Sequence, residues 1–249
     1  MKYLVKIAYL GEKFFGFQYQ PGRRTVQGEL NRVCERVFGG VCRVTGCSRT
    51  DRGVSAKGFC ISIEPPDGAP KIPARKLPLA ALPFLPSDLV FVSARVVPDS
   101  FHPRYDVKTK EYRYTIRTSP VPDPFLAGQV WEYPVVLPKN ALPRMREAAK
   151  HFLGKHDFAA FMAQGSDVKD TERTIFGMSV SKKGKLITVS VVGDGFLYNM
   201  VRIIAGTLLD VGAGKLEPDD IPSIIQSKER KKAGVTAPPE GLSLWKVTY

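Results

Sequence analysis

The segment Ser48–Gly53, which reads Ser-Arg-Thr-Asp-Arg-Gly, contains the first residues whose types and spacing could carry chemistry. Its carboxylate, Asp51, stands between two arginines, Arg49 and Arg52. Neighbouring guanidinium groups favour the ionised form of a carboxylate, and an ionised aspartate can act as a nucleophile. An aspartate close to a glycine is also common where a chain reverses, so a structural turn is the alternative interpretation.

A second candidate, Arg202, is the only charged residue in the apolar stretch 195–209, whose pattern predicts a buried helix. A guanidinium keeps its proton, so a buried one needs an anionic partner unless it reaches the surface. The nearest carboxylates along the helix, Asp194 and Asp210, are each about 12 Å away, beyond the spacing of an i,i+4 pair. The sequence therefore favours a partner from another part of the chain.

A third candidate lies in the predicted strand 110–118, where alternation places Tyr112 and Tyr114 on the same face. Tyrosines in strands mostly pack in the core. A phenol at the edge of a binding site could instead stack on a base or move a proton.

Basic residues exceed acidic ones by 37 to 24 among the 249 residues, which gives a formal net charge of +13. Aromatic and basic side chains are interleaved near Phe17 and near Arg104, and the run 228–232 adds four further basic residues. Lysines and arginines that contact phosphates, together with aromatic rings that stack on bases, are typical of RNA binding. Solvated charged faces are the alternative for each cluster.

Several classes of protein lack support in the sequence. The four cysteines include no C-x-x-C pair, and the three histidines do not complete a zinc-finger spacing with them, which favours buried thiols in a reducing cytosol. No phosphate-binding loop, H-E-x-x-H or G-x-S-x-G motif occurs. No signal peptide or membrane span is expected, because lysines interrupt the apolar N-terminus and no run of 18 apolar residues exists.

Periodicity predicts short strands joined by loops, with a few helices, which indicates an α+β fold. The predicted helices begin at Val26 after the N-cap Thr25, at about Asn140, and just after Gly195. The Pro-rich stretch 65–88 is expected to be irregular with one short helix. The predicted strands cover residues 2–10, 41–46, 58–63, 88–97, 110–118, 174–181, 185–193 and 242–249.

The motif Ser48–Gly58, SRTDRGVSAKG, resembles the G-R-T-D-x-G-V-x-A signature of the tRNA pseudouridine synthase I (TruA) family. The resemblance extends in order over nearly the whole chain, and the ordered set is far more specific than any single motif. Its other members are GFQ from Gly16, TVQGEL from Thr25, LP from Leu85, FHPR from Phe101, KEYRY from Lys110, DFxxF from Asp157, RTI from Arg173, FLxxMVR from Phe196 and TAPPEGL from Thr236.

The resemblance implies a pseudouridine synthase fold of two similar α+β halves, residues 1–104 and 105–249, with antiparallel or mixed sheets joined across a central basic cleft. It implies a cytoplasmic homodimer that works without a cofactor or metal ion. The expected reaction converts uridine to pseudouridine in the anticodon stem-loop of tRNA, at positions 38–40.

The resemblance also assigns residues. The catalytic residues are expected to be the aspartate Asp51, the active-site tyrosine Tyr112 and the carboxylate-pairing arginine Arg202. Arg49 is expected to help displace the target base. The full set expected to bind substrate is Arg49, Tyr112, Arg52, Phe17, Gln18 and Arg104.

This chain departs from the family pattern at Ser48, Arg52 and Ser55, which leaves the target uridines open. Whether Asp51 attacks C6 of the base or C1′ of the sugar also stays open. The alternatives are a relative that modifies other tRNA positions and a non-catalytic RNA-binding protein. A DNA-binding regulator is less favoured, because the predicted helices read as core elements.

Overall fold

The computed structural model describes residues 1–165 and 168–249, which form two compact units. The first unit comprises residues 1–108 and 243–249, and the second comprises residues 109–242. The sequence placed the boundary after residue 104 and assigned the whole C-terminus to the second half. The last strand instead belongs to the first unit, because its backbone pairs in parallel with a strand of that unit at Ser55 and Ala56.

The helices of the described chain are α1 (Val26–Phe38), α2 (Leu77–Ala81), α3 (Ala141–Lys150), α4 (Met200–Gly212) and α5 (Asp220–Ser227). The strands are β1 (Lys2–Tyr9), β2 (Arg43–Gly46), β3 (Ser55–Glu64), β4 (Leu89–Val97), β5 (Thr109–Thr118), β6 (Trp131–Tyr133), β7 (Gly154–Asp157), β8 (Glu172–Lys183), β9 (Leu186–Gly193) and β10 (Leu242–Thr248). None of these helices is both long and apolar enough to cross a membrane.

The sheet of the first unit has the order β4-β1-β3-β10, and β2 also pairs with β3. Strand β1 is antiparallel to both neighbours, so that Val5 lies between Ile61 and Ala94. Helix α1 begins where the sequence predicts, because the Thr25 side chain accepts the N–H of Gly28, and it ends at a left-handed Gly39. Its apolar side, including the fully buried Leu30, adds to the core of this unit.

The sheet of the second unit has the order β5-β9-β8-β7, and the short β6 runs parallel to β5. Helices α3 and α4 contact each other, α3 also contacts β8, and α4 contacts β5. The core of this unit contains fully buried aromatic side chains, namely Tyr114, Phe152, Phe158 and Phe161. Both units therefore combine helices with mixed sheets, which confirms the predicted α+β class.

The main difference from the predicted elements concerns the start of α4. The sequence placed it just after Gly195, whereas the helix begins at Met200. Asn199 adopts a left-handed conformation with φ of +58°, which interrupts helical geometry before that point. The short elements β6, β7 and α5 were not predicted either, because three- and four-residue strands and a two-turn helix leave too little periodicity to detect.

Candidate functional site

Asp51 lies half-buried in the loop that joins β2 to β3. Thr50, just before it, is buried: its hydroxyl lies 2.8 Å from the hydroxyl of Tyr9, and its carbonyl accepts the N–H of Phe17 at 3.0 Å. The carbonyl of Asp51 itself accepts the N–H of Val54 at 3.2 Å. Since the backbone is anchored on both sides of Asp51, the fold fixes where the carboxylate is presented.

Two glycines allow close backbone contact between the loop after β1 and the loop that contains Asp51. A Cβ atom at Gly11 would lie 2.2 Å from the carbonyl oxygen of Val54, and one at Gly16 would lie 2.7 Å from that of Thr50. Gly16 also has φ of +81°, a conformation that residues with side chains rarely adopt. The position of Asp51 therefore depends on a close backbone approach that larger residues would prevent.

Arg52 extends from the same loop onto an aromatic ring. Its guanidinium carbon lies 4.2 Å from the centre of the Phe15 ring, and that of Arg23 lies 4.5 Å from the same centre. Both arginines are exposed. Two cations on one ring form a concentrated positive surface beside Asp51, which suits a polyanion.

The structure gathers four of the residues predicted to bind substrate around one cavity of the first unit. Phe17, Gln18, Arg49 and Arg104 all line this cavity, which has a volume of about 240 Å³. Phe17 is buried and stacks on Phe59, with 4.6 Å between the ring centres. Gln18, Arg49 and Arg104 are exposed. Residues far apart in sequence thus form one partly apolar, partly basic site next to the Asp51 loop.

The two tyrosines of β5 share one face of the strand, as alternation predicts, but their surroundings differ. Tyr112 is 7% exposed, and its ring packs edge-on against that of Phe196, with 5.1 Å between the ring centres. Tyr114 is fully buried, and its hydroxyl donates to the carbonyl of Pro238 at 2.7 Å. Burial raises the pKa of the Tyr114 hydroxyl, and Glu240 adds to this effect. Tyr114 is therefore a core residue whose hydroxyl keeps its proton.

Arg202 is the third residue of α4 and is half-buried. Its Nε donates to the carbonyl of Ala237 at 2.6 Å, and its Nη1 donates to the side-chain oxygen of Asn199 at 2.7 Å. Ala237 is 35 residues away, so this acceptor comes from a distant part of the chain, but it is a backbone carbonyl and not the anionic partner that the sequence predicts. These two acceptors carry no net charge, so they orient the guanidinium without neutralising it.

The two carboxylates nearest to Arg202 along the helix are engaged elsewhere. Asp194 accepts the backbone N–H of Thr174 at 3.0 Å, and Asp210 forms an ion pair with Lys215 at 3.1 Å. Neither of these two contacts involves Arg202.

The segment 234–241 contacts α4 and supplies one acceptor for Arg202 and one for Tyr114. The N–H of Gly234 donates to the hydroxyl of Thr207 at 2.9 Å, and a Cβ atom at Gly206 would lie 2.0 Å from the carbonyl oxygen of Val235. The N–H of Ala237 returns to the carbonyl of Arg202 at 3.2 Å. This segment thus fixes the direction of the Arg202 side chain through a close backbone contact.

Several basic residues of two sequence clusters form ion pairs with carboxylates of their own units. Lys228 pairs with Asp157 at 2.7 Å, while Lys231 and Lys232 both contact Glu229. In the first unit, Arg24 binds Asp88 through two hydrogen bonds of 2.8 Å each. These residues stabilise local structure, whereas the exposed Arg49, Arg52 and Arg104 are better suited to contact a ligand.

All four cysteines are buried free thiols. Within residues 1–165 and 168–249, no group of three or more histidine, cysteine, aspartate or glutamate side chains lies close enough together to hold a metal ion. The groups available for chemistry at the predicted positions are a carboxylate and exposed guanidinium groups in the first unit, and a phenol and an oriented guanidinium in the second.

Comparison with known protein families gives a match over most of the chain. A family model described as tRNA pseudouridine synthase matches residues 6–106 and again residues 148–249. The two matches show that the chain contains two similar halves, as the sequence predicted.

Curated relatives match over nearly their full lengths. Proteins called tRNA pseudouridine synthase A are 43% identical in Brevibacillus brevis, 42% in Bacillus velezensis and 41% in Thermoanaerobacter sp. (strain X514). These alignments cover 98%, 100% and 99% of this chain and 97%, 99% and 98% of the relatives, respectively. Among solved structures, a Cbf5-Nop10-Gar1 complex matches at 12% identity with a TM-score of 0.36, over 83% of this chain and 54% of that chain, which is too distant to add to the assignment.

Proposed function

The chain belongs to the tRNA pseudouridine synthase family, and from that premise we propose that it modifies the anticodon stem-loop of tRNA, at positions 38–40, with Asp51 as the nucleophile. The protein is a tRNA pseudouridine synthase, an isomerase that acts on uridine in tRNA. The finer proposal concerns where on the tRNA it acts and which side chains carry the reaction.

The observation that carries this proposal is the arrangement of the first unit around Asp51. Hydrogen bonds to the carbonyls of Thr50 and Asp51 hold the loop. The cavity is lined by Arg49, which lies two residues before Asp51, and by Phe17 and Arg104. A fixed carboxylate beside a basic and aromatic cavity suits an unpaired nucleotide of an RNA loop, because unstacked bases can enter such a site.

The reaction needs a nucleophile, a held base and a late proton transfer. The bond between N1 of uracil and C1′ breaks, the base turns, and a new bond joins C5 to C1′. The proton on C5 must then leave, while N1 ends with a proton, so that the product is an isomer of the substrate. Asp51 supplies the nucleophile in either mechanism, whether it attacks C6 of the base or C1′ of the sugar.

Arg202 and Tyr112 support these steps in the proposed mechanism. A guanidinium favours the ionised form of a carboxylate, and the contacts of Arg202 with Ala237 and Asn199 hold it in one orientation for that task. The Tyr112 hydroxyl is proposed to receive the proton from C5, directly or through water. Arg49 is proposed to occupy the space that the target base leaves in the stack.

The decisive experiment uses unmodified tRNA labelled with tritium at C5 of uridine. Release of tritium reports the loss of the C5 proton, and mapping of the product identifies the modified positions. Release at positions 38–40 supports the proposal. Release from other positions would correct the proposed target. The departures from the family pattern at Ser48, Arg52 and Ser55 leave that outcome open. Tight binding without release would favour the non-catalytic RNA-binding alternative.

The remaining expectations are part of the same proposal. We propose a homodimer that works without a cofactor or metal ion in the cytoplasm, and the buried free thiols agree with a reducing compartment. Light scattering at micromolar concentration tests the dimer, since a monomeric mass would contradict it. Tritium release after exhaustive chelation tests whether the reaction is independent of metal ions. Loss of release after chelation would contradict that independence.

A further inference from the structure

The cavity of the first unit has the features of a binding site for one nucleotide. Its apolar wall is Phe17, which stacks on Phe59 with an interplanar angle of 22°. A Cβ atom at Gly46 would lie 2.5 Å from the Phe17 ring, so a glycine is needed for the ring to occupy this place. The polar groups beside it include Gln18 and the hydroxyl of Ser48, which suit the edge of a base.

An exposed aromatic ring lies at the same cavity. Tyr105 is 75% exposed, and its ring stacks on that of His102 with 4.2 Å between the centres. The Nδ1 atom of His102 accepts the backbone N–H groups of Arg104 and Tyr105. The backbone N–H of His102 donates to the carboxylate of Asp106 at 2.9 Å. The ring of Tyr105 is thus supported by an ordered turn while most of its surface faces solvent. Such a ring is a suitable stacking surface for an unpaired base.

Two cations complete the site. Arg49 and Arg104 line the cavity and are exposed. Exposed guanidinium groups beside a stacking ring are the combination that binds the phosphate and base of a single-stranded nucleotide.

The position of the cavity indicates which nucleotide would bind there. Ser48 and Arg49 line it, and they directly precede Thr50 and Asp51 along the chain. We propose that the cavity holds one unpaired tRNA nucleotide next to the uridine that is isomerised, with its base stacked on Tyr105 and its phosphate held by Arg104. This inference rests on the proposed function, since it assumes that Asp51 marks the reacting uridine.

The test combines protein variants with tRNA that lacks single bases. Dissociation constants are measured for the whole protein with Tyr105→Ala, Tyr105→Phe and the control Phe84→Ala, which removes another exposed ring of the first unit. Each protein is tested on intact tRNA and on transcripts with one abasic nucleotide at each position of the anticodon loop. Because the ring of Tyr105 is largely exposed, its removal leaves the core intact.

We expect Tyr105→Ala to weaken binding by about 5- to 150-fold, the loss typical of one stacked base. One abasic position should cause a similar loss in the wild type and little further loss in Tyr105→Ala, since both changes remove the same contact. Tyr105→Phe should keep most of the binding, because it retains the ring, and Phe84→Ala should bind as the wild type does.

Two results would overturn the inference: wild-type affinity of Tyr105→Ala, or a loss that adds fully to that of every abasic position. Arg104→Ala gives a second check, because removal of one phosphate contact should lower the slope of binding against salt by about 1. Binding requires no turnover, whereas tritium release by the wild type reports only the proposed function. The two proposals can therefore fail separately.

Discussion

The two tyrosines of β5 offer a matched pair of variants that separates catalysis from stability. Tyr112→Phe and Tyr114→Phe each remove one hydroxyl from neighbouring positions on the same strand face. The Tyr112 ring keeps its edge-on contact with Phe196 in the variant, because the phenyl ring is unchanged. The hydroxyl of Tyr114, by contrast, is the donor to the carbonyl of Pro238 inside the core.

The structure sets the expected size of each effect. Tyr114→Phe leaves a carbonyl without this donor, which costs about 1–3 kcal/mol and lowers Tm by about 2–12 °C for a chain of this length. Its rate should stay near that of the wild type, because burial raises the pKa of Tyr114 and keeps its proton in place. Tyr112→Phe should slow single-turnover tritium release by about 100- to 10,000-fold, the contribution typical of a positioned acid or base.

The assay measures tritium release with enzyme in excess, together with thermal unfolding and tRNA affinity for both variants. We expect Tyr112→Phe to lose rate with a smaller change in Tm, and Tyr114→Phe to lose Tm and keep its rate. Equal and mild losses of rate in the two variants would refute the assignment of Tyr112. The proton on C5 would then have to pass to another group or to water.

Four further predictions follow from the structure. Asp51→Ala should abolish tritium release while leaving tRNA affinity within a few-fold, because distributed phosphate contacts carry the affinity; near-normal turnover would remove Asp51 from its role. Arg202→Lys should stay poorly active, since an ammonium group cannot reproduce the planar contacts of Nε and Nη1; normal kinetics would make Arg202 a generic cation. The affinity for tRNA should fall steeply with salt, and Arg52→Ala should reduce the slope by about 1; a slope near zero would contradict a basic binding surface. Arg24 lowers the pKa of Asp88, so this pair stabilises the fold above the ordinary pKa of the carboxyl and the contribution is lost as the pH falls through the lowered one. Urea unfolding of the wild type and Asp88→Asn should therefore converge in acid, and a constant difference would show that the pair does not contribute in this way.

The sequence allowed prediction of elements that have strong local signals. Helix α1 is an example, because Thr25 caps its first turn and Gly39 ends it in a left-handed conformation, and both signals are local. The strand face shared by Tyr112 and Tyr114 followed from alternation alone. Local patterns of this kind are independent of the rest of the chain, which is why they could be read correctly.

Contacts between distant segments could not be derived in the same way. The sequence marked Arg202 as a buried cation in need of a partner, but not the carbonyl of Ala237 that orients it. It marked the motif TAPPEGL from Thr236 as part of the family resemblance, but not its role as a support for Arg202 and Tyr114. Backbone carbonyls carry no residue-specific signal, so their role as acceptors appears only when the chain is folded.

The pairing of Tyr105 with His102 shows a different limit. The sequence placed both residues in an aromatic and basic cluster, for which a solvated charged face is the usual interpretation. Only the structure shows that the Nδ1 atom of His102 is fixed by two backbone N–H groups, so that the stacked ring of Tyr105 is supported beside the cavity. An exposed ring held in one position loses little conformational entropy when a base stacks on it, whereas a mobile ring would lose more. The difference between a solvated surface and a binding site therefore lies in the hydrogen bonds of the turn, which the composition of the cluster does not encode.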